Sequence, residues 1–539
     1  MFCSVLTWIG LYAGAVWLYE NLRTPVLLLL QSLKQLVFRQ KLSQRYGKWA
    51  VITGASDGIG KGYAHYLARQ GMAIVLVARN EAKLNKVADE IKAKYGVETK
   101  VVVADFSKGR EIYPHLQKAL VPLDIGILVN NVGVSHDTPK YVDEVSQDAL
   151  WDLINVNVAA ATLLCNILAP PMKQRQRGLI VNVSSIASVS PSPCLTTYAA
   201  SKAYMTYFSA AITCNVKMFC SVLTWIGLYA GAVWLYENLR TPVLLLLQSL
   251  KQLVFRQKLS RRYGKWAVIT GASDGIGKGY AHYLARQGMA IVLVARNEAK
   301  LNKVADEIKA KYGVETKVVV ADFSKGREIY PHLQKALVPL DIGILVNNVG
   351  VSHDTPKYVD EVSQDALWDL INVNVAAATL LCNILAPPMK QRQRGLIVNV
   401  SSIASVSPSP CLTTYAASKA YMTYFSVGLQ KELSPFGVEV QTVRPSFVHT
   451  NMTDFLIKDM KNAQFKDYLV NVDSFMAYAG CTIGKVDLTS GHWSHGLQTA
   501  GLYLLPEFLR VFILGLVNKK IRDDFHVQRK KKDELPLTE

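Results

Sequence analysis

The chain is 539 residues long, 50% hydrophobic and 19% charged, a balance that excludes a disordered polymer and leaves room for two to four ordinary domains and for membrane segments. Its formal charge of +19 would suit nucleic acid, but no recognition motif accompanies it. The lysines and arginines are scattered along helical stretches or gathered beside apolar runs, which suits a membrane surface and argues against a nucleic-acid partner. Eight cysteines without close pairing argue against a disulfide framework or a zinc site, and no metal is expected.

The first predicted element is an uncharged, mostly apolar run over residues 2–19, near the lower limit of about 17 residues for a spanning helix. A cleaved signal peptide is the rival reading, weakened by the missing basic start and the lack of a clear small-residue cleavage site. Arg23, Lys34, Arg39, Lys41, Arg45 and Lys48 follow the run, so the positive-inside rule places the next domain in the cytosol.

Residues 1–209 recur as residues 218–426 at a constant offset of 217, with Gln44 against Arg261 the one difference. An old duplication would have drifted at exposed positions, where substitutions typically change stability by under about 0.5 kcal/mol. The repeat is therefore very recent, or two neighbouring copies have been joined. The junction favours the join, because the first copy departs after Ser209 through residues 210–217 and Met218 reads as a fresh start. Residues 219–236 repeat the apolar run with the same basic flank. Two consecutive single spans cannot both obey the positive-inside rule, since each crossing reverses the side.

From Lys265 onward, short apolar strands alternate with longer helical stretches. Strands are predicted at 266–270, 290–295, 317–321, 343–347, 395–400 and 438–444, and helices include 279–287, 298–311, 364–389 and 414–433. That alternation predicts an α/β fold with a Rossmann-type doubly wound parallel sheet. The first strand runs into Gly271, Ser273, Asp274, Gly275, Ile276 and Gly277. There Gly271 permits the sharp turn, Gly275 lets backbone amides approach a pyrophosphate, and Gly277 lets the next helix pack closely. The second strand ends in Arg296 with no acidic residue to take a free ribose 2'-hydroxyl. Arg296 pairing with a 2'-phosphate makes NADP(H) the expected cofactor, and a solvated surface arginine is the alternative.

Tyr415 and Lys419 stand one helical turn apart on one face, with Ser402 thirteen residues before the tyrosine at the end of a strand. A phenol with a pKa of about 10 is a poor acid or base near neutrality, and a neighbouring cation brings its proton within reach. The glycine turn, Asn347, Asn348, Gly350, Asn374, Ser402, Tyr415 and Lys419 together resemble the signature of the short-chain dehydrogenase/reductase family over residues 265–453. The resemblance implies that Tyr415 is the general acid/base, that Lys419 binds the nicotinamide ribose and lowers the tyrosine pKa, and that Ser402 orients the carbonyl. It further implies that Asn374 anchors a relay water, that Asp322 contacts the adenine and that Asn348 lines the cofactor crevice. Residues 444–450, with Val448 and Thr450, resemble the loop that grips the cofactor, although Ser446 stands where the family usually has glycine.

Residues 321–330, 343–350 and 491–495 are similar to one branch of that family. It holds the 17-beta-hydroxysteroid dehydrogenases of types 3 and 12, the very-long-chain 3-oxoacyl-CoA reductases and the hydroxysteroid dehydrogenase-like proteins. Vertebrate members of the last group are regarded as inactive because phenylalanine replaces the catalytic tyrosine, which is present here as Tyr415. The branch implies NADP(H)-dependent chemistry on a lipophilic ketone or alcohol, either a 3-oxoacyl-CoA or a 17-ketosteroid, with a non-catalytic NADP(H)-binding scaffold as the alternative. It also implies a membrane partner, a homodimer as an admissible assembly, and the endoplasmic reticulum membrane with the catalytic domain facing the cytosol, the mitochondrion being the second choice. The substrate wall is expected from residues 447–482. Lys458, Lys461 and Lys466 read equally as partners for CoA phosphates or as a solvated helix face.

The predicted organisation is a membrane segment (1–46), a truncated Rossmann copy (47–209), a junction (210–217), a second membrane segment (218–263), a complete Rossmann copy (264–490) and a C-terminal segment (491–539). Within the last, 502–517 is predicted as an interfacial amphipathic helix. The truncated copy repeats the motif as Gly54, Gly58, Gly60, Asn157, Ser185, Tyr198 and Lys202, but it lacks the final strands and the cofactor loop. It is expected to be unstable or inactive as a separate unit.

Overall fold

The computed structural model describes residues 42–136, 138–213, 259–353, 355–453 and 469–533. The apolar runs at 2–19 and 219–236, and Lys458, Lys461 and Lys466, lie outside the described residues.

The first copy runs α1 (Leu42–Tyr46), β1 (Trp49–Thr53), α2 (Gly58–Arg69), β2 (Ala73–Ala78), α3 (Glu81–Tyr95), β3 (Thr99–Val103), α4 (Tyr113–Leu120), β4 (Ile125–Asn130), α5 (Gln147–Ile154), α6 (Ala160–Gln174), β5 (Leu179–Asn182) and α7 (Thr196–Thr213). Its five strands pair in parallel in the order β3-β2-β1-β4-β5.

The second copy repeats that order as α8 (Leu259–Tyr263), β6 (Trp266–Thr270), α9 (Gly275–Arg286), β7 (Ala290–Ala295), α10 (Glu298–Tyr312), β8 (Thr316–Val320), α11 (Tyr330–Leu337), β9 (Ile342–Asn347), α12 (Gln364–Ile371), α13 (Ala377–Gln391) and β10 (Gly395–Val400). It continues through α14 (Thr413–Leu433), β11 (Val438–Val443), α15 (Val472–Thr482), β12 (Leu488–Thr489), α16 (Trp493–Tyr503) and α17 (Glu507–Asp533). Its seven parallel strands lie in the order β12-β11-β10-β9-β6-β7-β8. Strands β7 and β9 are buried along their whole length, as continuous apolar runs covered by helices on both faces require. In the first copy β5 is left as an edge, with Leu179 exposed.

Strand ends fall within one residue of those predicted. The helices predicted at 298–311 and 414–433 also match within one residue, and others depart for identifiable reasons. Asp274 caps α9 by accepting from the Gly275 amide at 2.7 Å, which starts that helix four residues before the predicted 279. The stretch 364–389 is one continuous helical stretch, Gln364–Gln391, widened by a π turn at Asn372–Ala376 where α12 passes into α13. The tail predicted as one helix over 502–517 is divided, with Pro506 between α16 and α17 and a bend of 119° between their axes.

Among the described residues, two helical stretches, Gln147–Gln174 and Gln364–Gln391, are long and apolar enough to cross a membrane, but 83% and 94% of their apolar windows are buried inside the protein. They form the seam between the copies. One core cluster joins Trp151, Leu164 and Phe208 of the first copy to Trp368, Leu381 and Phe425 of the second. Alternate residues of each sheet point the other way, into separate clusters on the two outer faces.

Candidate active site

The cleft opens where β6 and β9, neighbours in the sheet, send their connections to opposite sides, the place where open α/β sheets bind ligands. Thr270 ends β6, and its Oγ1 donates to Val346 O (3.2 Å) while accepting from the amides of Asn348 (2.9 Å) and Val349 (3.0 Å). Asn348 Nδ2 returns a bond to Thr270 O at 2.9 Å. The two strand-end turns are thereby stapled together. Gly271 takes φ +64°, and a Cβ on Gly277 would stand 2.5 Å from Asn348 Nδ2, so both positions need glycine. The N-terminus of α9, capped by Asp274, faces the cleft as an anion site.

The cleft has a volume of about 460 Å³. Gly271, Ser273, Asp274, Gly275, Ile276, Arg296, Asn348, Gly350, Ser402, Tyr415, Lys419, Val448 and Thr450 line it. Three of the residues proposed from the sequence do not reach its wall. Gly277 lies behind the turn, and Asp322 caps the 3₁₀ turn Phe323–Ile329, accepting from Ser324 N (3.1 Å) and Oγ (2.9 Å). Asn374 is fully buried in the π turn. Its Oδ1 accepts from Val351 N (2.8 Å), and its Nδ2 donates to Val351 O (2.9 Å) and Ser418 Oγ (3.1 Å). That side chain positions the loop after β9.

Helix α14 carries Tyr415 and Lys419. The Lys419 ammonium lies 5.7 Å from the tyrosine ring centroid and donates to Val400 O at 3.1 Å. Burial brings its pKa down to about 8. A Cβ on Gly350 would stand 3.4 Å from Lys419 Nζ and 3.5 Å from Asn374 Oδ1, so the loop after β9 closes against both. Burial holds the Tyr415 phenol above its ordinary value, and a hydrogen bond with Ser402 works the other way. The direction is opposite to the lowering expected from the sequence. Lys419 is tied to the backbone at Val400, and desolvation outweighs the Ser402 bond.

The loop after β11 closes the cleft. Arg444 N donates to Thr489 O (2.8 Å), Arg444 Nη1 to Tyr503 Oη (3.1 Å), and Ser446 Oγ to Gln498 Oε1 (2.5 Å). Serine in place of glycine at 446 thus ties the loop to α16. Ile403 N donates to Pro445 O at 2.9 Å, which draws the loop over Ser402.

Sequence reasoning missed His353, Leu412, Asn518 and Ile521, all of which line the cleft. Asn518 and Ile521 belong to α17, which returns over the site as Asn518 Nδ2 donates to Pro410 O at 2.8 Å. Their i, i+3 spacing marked one helix face, but nothing in the sequence marked what that face would cover. Of the predicted substrate wall, Phe447, Val448 and Thr450–Thr453 line the cleft, and 454–468 lie outside the described residues.

The first copy reproduces the inner part of the constellation. Lys202 Nζ donates to Val183 O (3.2 Å) and lies 5.7 Å from the Tyr198 ring. Asn157 makes the same three bonds, to Val134 N, Val134 O and Ser201 Oγ. Among the described residues of this copy no strand follows β5, and Ile186 beside Ser185 is 89% exposed. Among the described residues, the first copy therefore has the constellation without the strands and loop that close the cleft of the second.

A parallel sheet with a glycine turn at its switch point and a Ser–Tyr–Lys constellation beside it defines a dinucleotide-binding protein of the oxidoreductase type. The short chain dehydrogenase family model matches residues 48–219 and 265–461, and the chain belongs to that family. It is similar to inactive hydroxysteroid dehydrogenase-like protein 1 of Homo sapiens, at 40% identity over 330 residues, 60% of this chain and 96% of that protein. It is also similar to the hydroxysteroid dehydrogenase-like protein 1 of Gallus gallus, at 42% over 263 residues (49% and 78%). The very-long-chain 3-oxoacyl-CoA reductase of Anas platyrhynchos is 40% identical over 272 residues (50% and 85%). Among solved structures, a short-chain dehydrogenase from Sphingobium yanoikuyae in complex with NADPH is 30% identical with a TM-score of 0.38, over 42% of this chain and 86% of that one.

Proposed function

We propose that the second copy reduces a lipophilic ketone with NADPH, or runs the reverse oxidation, and that the substrate is a 3-oxoacyl-CoA or a 17-ketosteroid. The observation that carries this reading is the meeting of Ser402, Tyr415 and Lys419 in one cleft whose lining also includes Leu412, Phe447, Met452 and Ile521. The residues present fit a dinucleotide. The α9 N-terminus and the Gly271–Gly275 turn would hold its pyrophosphate, Lys419 its ribose, and Arg296 at the end of β7 its 2'-phosphate. When bound, that cofactor supplies the hydride. Ser402 donates a hydrogen bond to the substrate carbonyl oxygen and fixes its position, and Tyr415 gives that oxygen its proton. Lys419, charged below pH about 8, stabilises the phenolate left behind.

The apolar residues exposed on α16 and α17, among them Trp493, Leu497, Phe512 and Leu516, support contact with a membrane surface, with Lys519 and Lys520 suited to its headgroups. We place the protein at the endoplasmic reticulum membrane facing the cytosol, with the mitochondrion as the second choice. A non-catalytic NADP(H)-binding role is the second functional reading, favoured by the similarity to a human protein named inactive.

The test is NADPH oxidation by the full chain with 3-oxoacyl-CoA and 17-ketosteroid panels, wild type against Tyr415→Phe. Turnover on one panel, lowered about 100- to 10,000-fold by the substitution, is the expected result. Bound NADPH without turnover on either panel would leave the non-catalytic reading.

A further inference from the structure

We propose that the first copy is the built-in partner of the second. It occupies, within one chain, a self-complementary surface that would otherwise take another copy of the complete domain. The contacts between the copies come in pairs related by the 217-residue offset. Asn166 Nδ2 donates to Val359 O (2.7 Å) and Val362 O (2.8 Å), and Asn383 Nδ2 donates to Val142 O and Val145 O (both 2.8 Å). Lys173 pairs with Asp360 at 2.5 Å and Lys390 with Asp143 at 2.8 Å. Tyr113 meets Trp368 edge-on with centroids 6.0 Å apart, and Trp151 meets Tyr330 the same way. In each of these pairs the contact made by residue i to residue j is returned by the equivalent of j to the equivalent of i. That reciprocity is the mark of an isologous two-fold interface, here closed inside one polypeptide.

The pairing is tightest along the helix that bears the catalytic residues. α14 packs on α7, and a Cβ on Gly428 would stand 2.5 Å from Thr196 Oγ1. One turn on, Glu432 is 1% exposed. Its carboxylate accepts from Val142 N (2.9 Å), Cys194 N (2.9 Å) and Thr196 Oγ1 (2.5 Å), all in the first copy. The counterpart position in the first copy is Asn215, so no second glutamate returns this contact. Glu432 therefore distinguishes the complete copy from its truncated partner and anchors the far end of α14 on it. A chain half that ends its sheet at β5 is thus held by burying its apolar helices α5, α6 and α7 against the complete copy. The reading is independent of which substrate the cleft takes.

The experiment places a specific protease site in the junction between residues 214 and 258 of the full chain, in detergent, and reads mass by light scattering before and after cleavage. Before the cut, the protein component is expected at the 59.7 kDa of one chain. After the cut, the two halves are expected to migrate together. Asp143→Lys should weaken the cut complex at least about 100-fold, because it opposes the half-buried Lys390 ammonium. Adding Lys390→Asp to that variant should restore it, which separates a pairing effect from misfolding. Halves that part on cleavage, an uncut chain that is a dimer exchanging halves, or a charge swap that restores nothing would each overturn the proposal.

Discussion

Lys419 holds its ammonium 5.7 Å from the centre of the Tyr415 ring while donating to the carbonyl oxygen of Val400. Burial lowers its pKa from 10.5 to about 8. Turnover should therefore fall as pH rises through about 8, where the charge that supports the phenolate is lost. A kcat/KM profile for ketone reduction checks this, and a flat profile from pH 7 to 9.5 would remove Lys419 from the proton step.

The same shift has a consequence for stability, of opposite sense. Between pH 8 and 10.5 the unfolded chain binds this proton and the folded chain does not, so stability rises with pH across that window. Below pH 8 the burial penalty is fully present, of the order of 3 kcal/mol. Lys419→Met should abolish turnover yet raise the melting temperature at pH 7, with the gain shrinking toward pH 10.5. Thermal melts of both proteins at pH 7 and pH 10 decide it.

Asn374 bonds both the amide and the carbonyl of Val351, so removing its side chain leaves two backbone groups to find new partners. Asn374→Ala should cost about 2–4 kcal/mol, and Asn374→Asp should not rescue it, since a carboxylate would face Val351 O. Urea midpoints of the three proteins are the measurement. Equal midpoints would mean that water replaces the side chain at no cost.

Arg296 lines the cleft at the end of β7, where an acidic residue would be needed for a free ribose 2'-hydroxyl. Arg296→Ala should weaken NADPH binding about 10- to 100-fold and leave NADH binding unchanged. Equal losses for both dinucleotides would reduce Arg296 to a general surface charge.

The parallel sheet was legible because β6, β7, β9 and β10 are continuous apolar runs separated by capped helices. The inner site was legible for a similar reason. Glycine turns and an i, i+4 pair are local patterns, and Gly271, Tyr415 and Lys419 all lie where local spacing put them. What was not legible depends on distant partners. The π turn around Asn374 keeps the apolar periodicity of its helix, so the pattern runs through it unbroken. α17 shows an apolar face, but periodicity cannot say that Asn518 would reach Pro410. The buried carboxylate of Glu432 reads in sequence as an ordinary polar residue near a helix end. Its three donors lie more than 200 residues away.

The first copy raises a last question, whether its Tyr198 and Lys202 turn over substrate. Both sit as their counterparts do, but among the described residues the strand and loop that shelter Ser402 have no equivalent beside Ser185, and Ile186 stands 89% exposed. A hydride and proton transfer needs a closed, water-poor site with both reactants held. Tyr198→Phe combined with Lys202→Met should therefore leave kcat and KM of the full chain within about two-fold, the change expected of substitutions worth under about 0.5 kcal/mol. Tyr415→Phe should remove nearly all turnover in the same assay. If the first-copy double substitution halved the burst of product per chain, two working sites would be present, and the cleft of the first copy would have to close by means that its five strands do not provide.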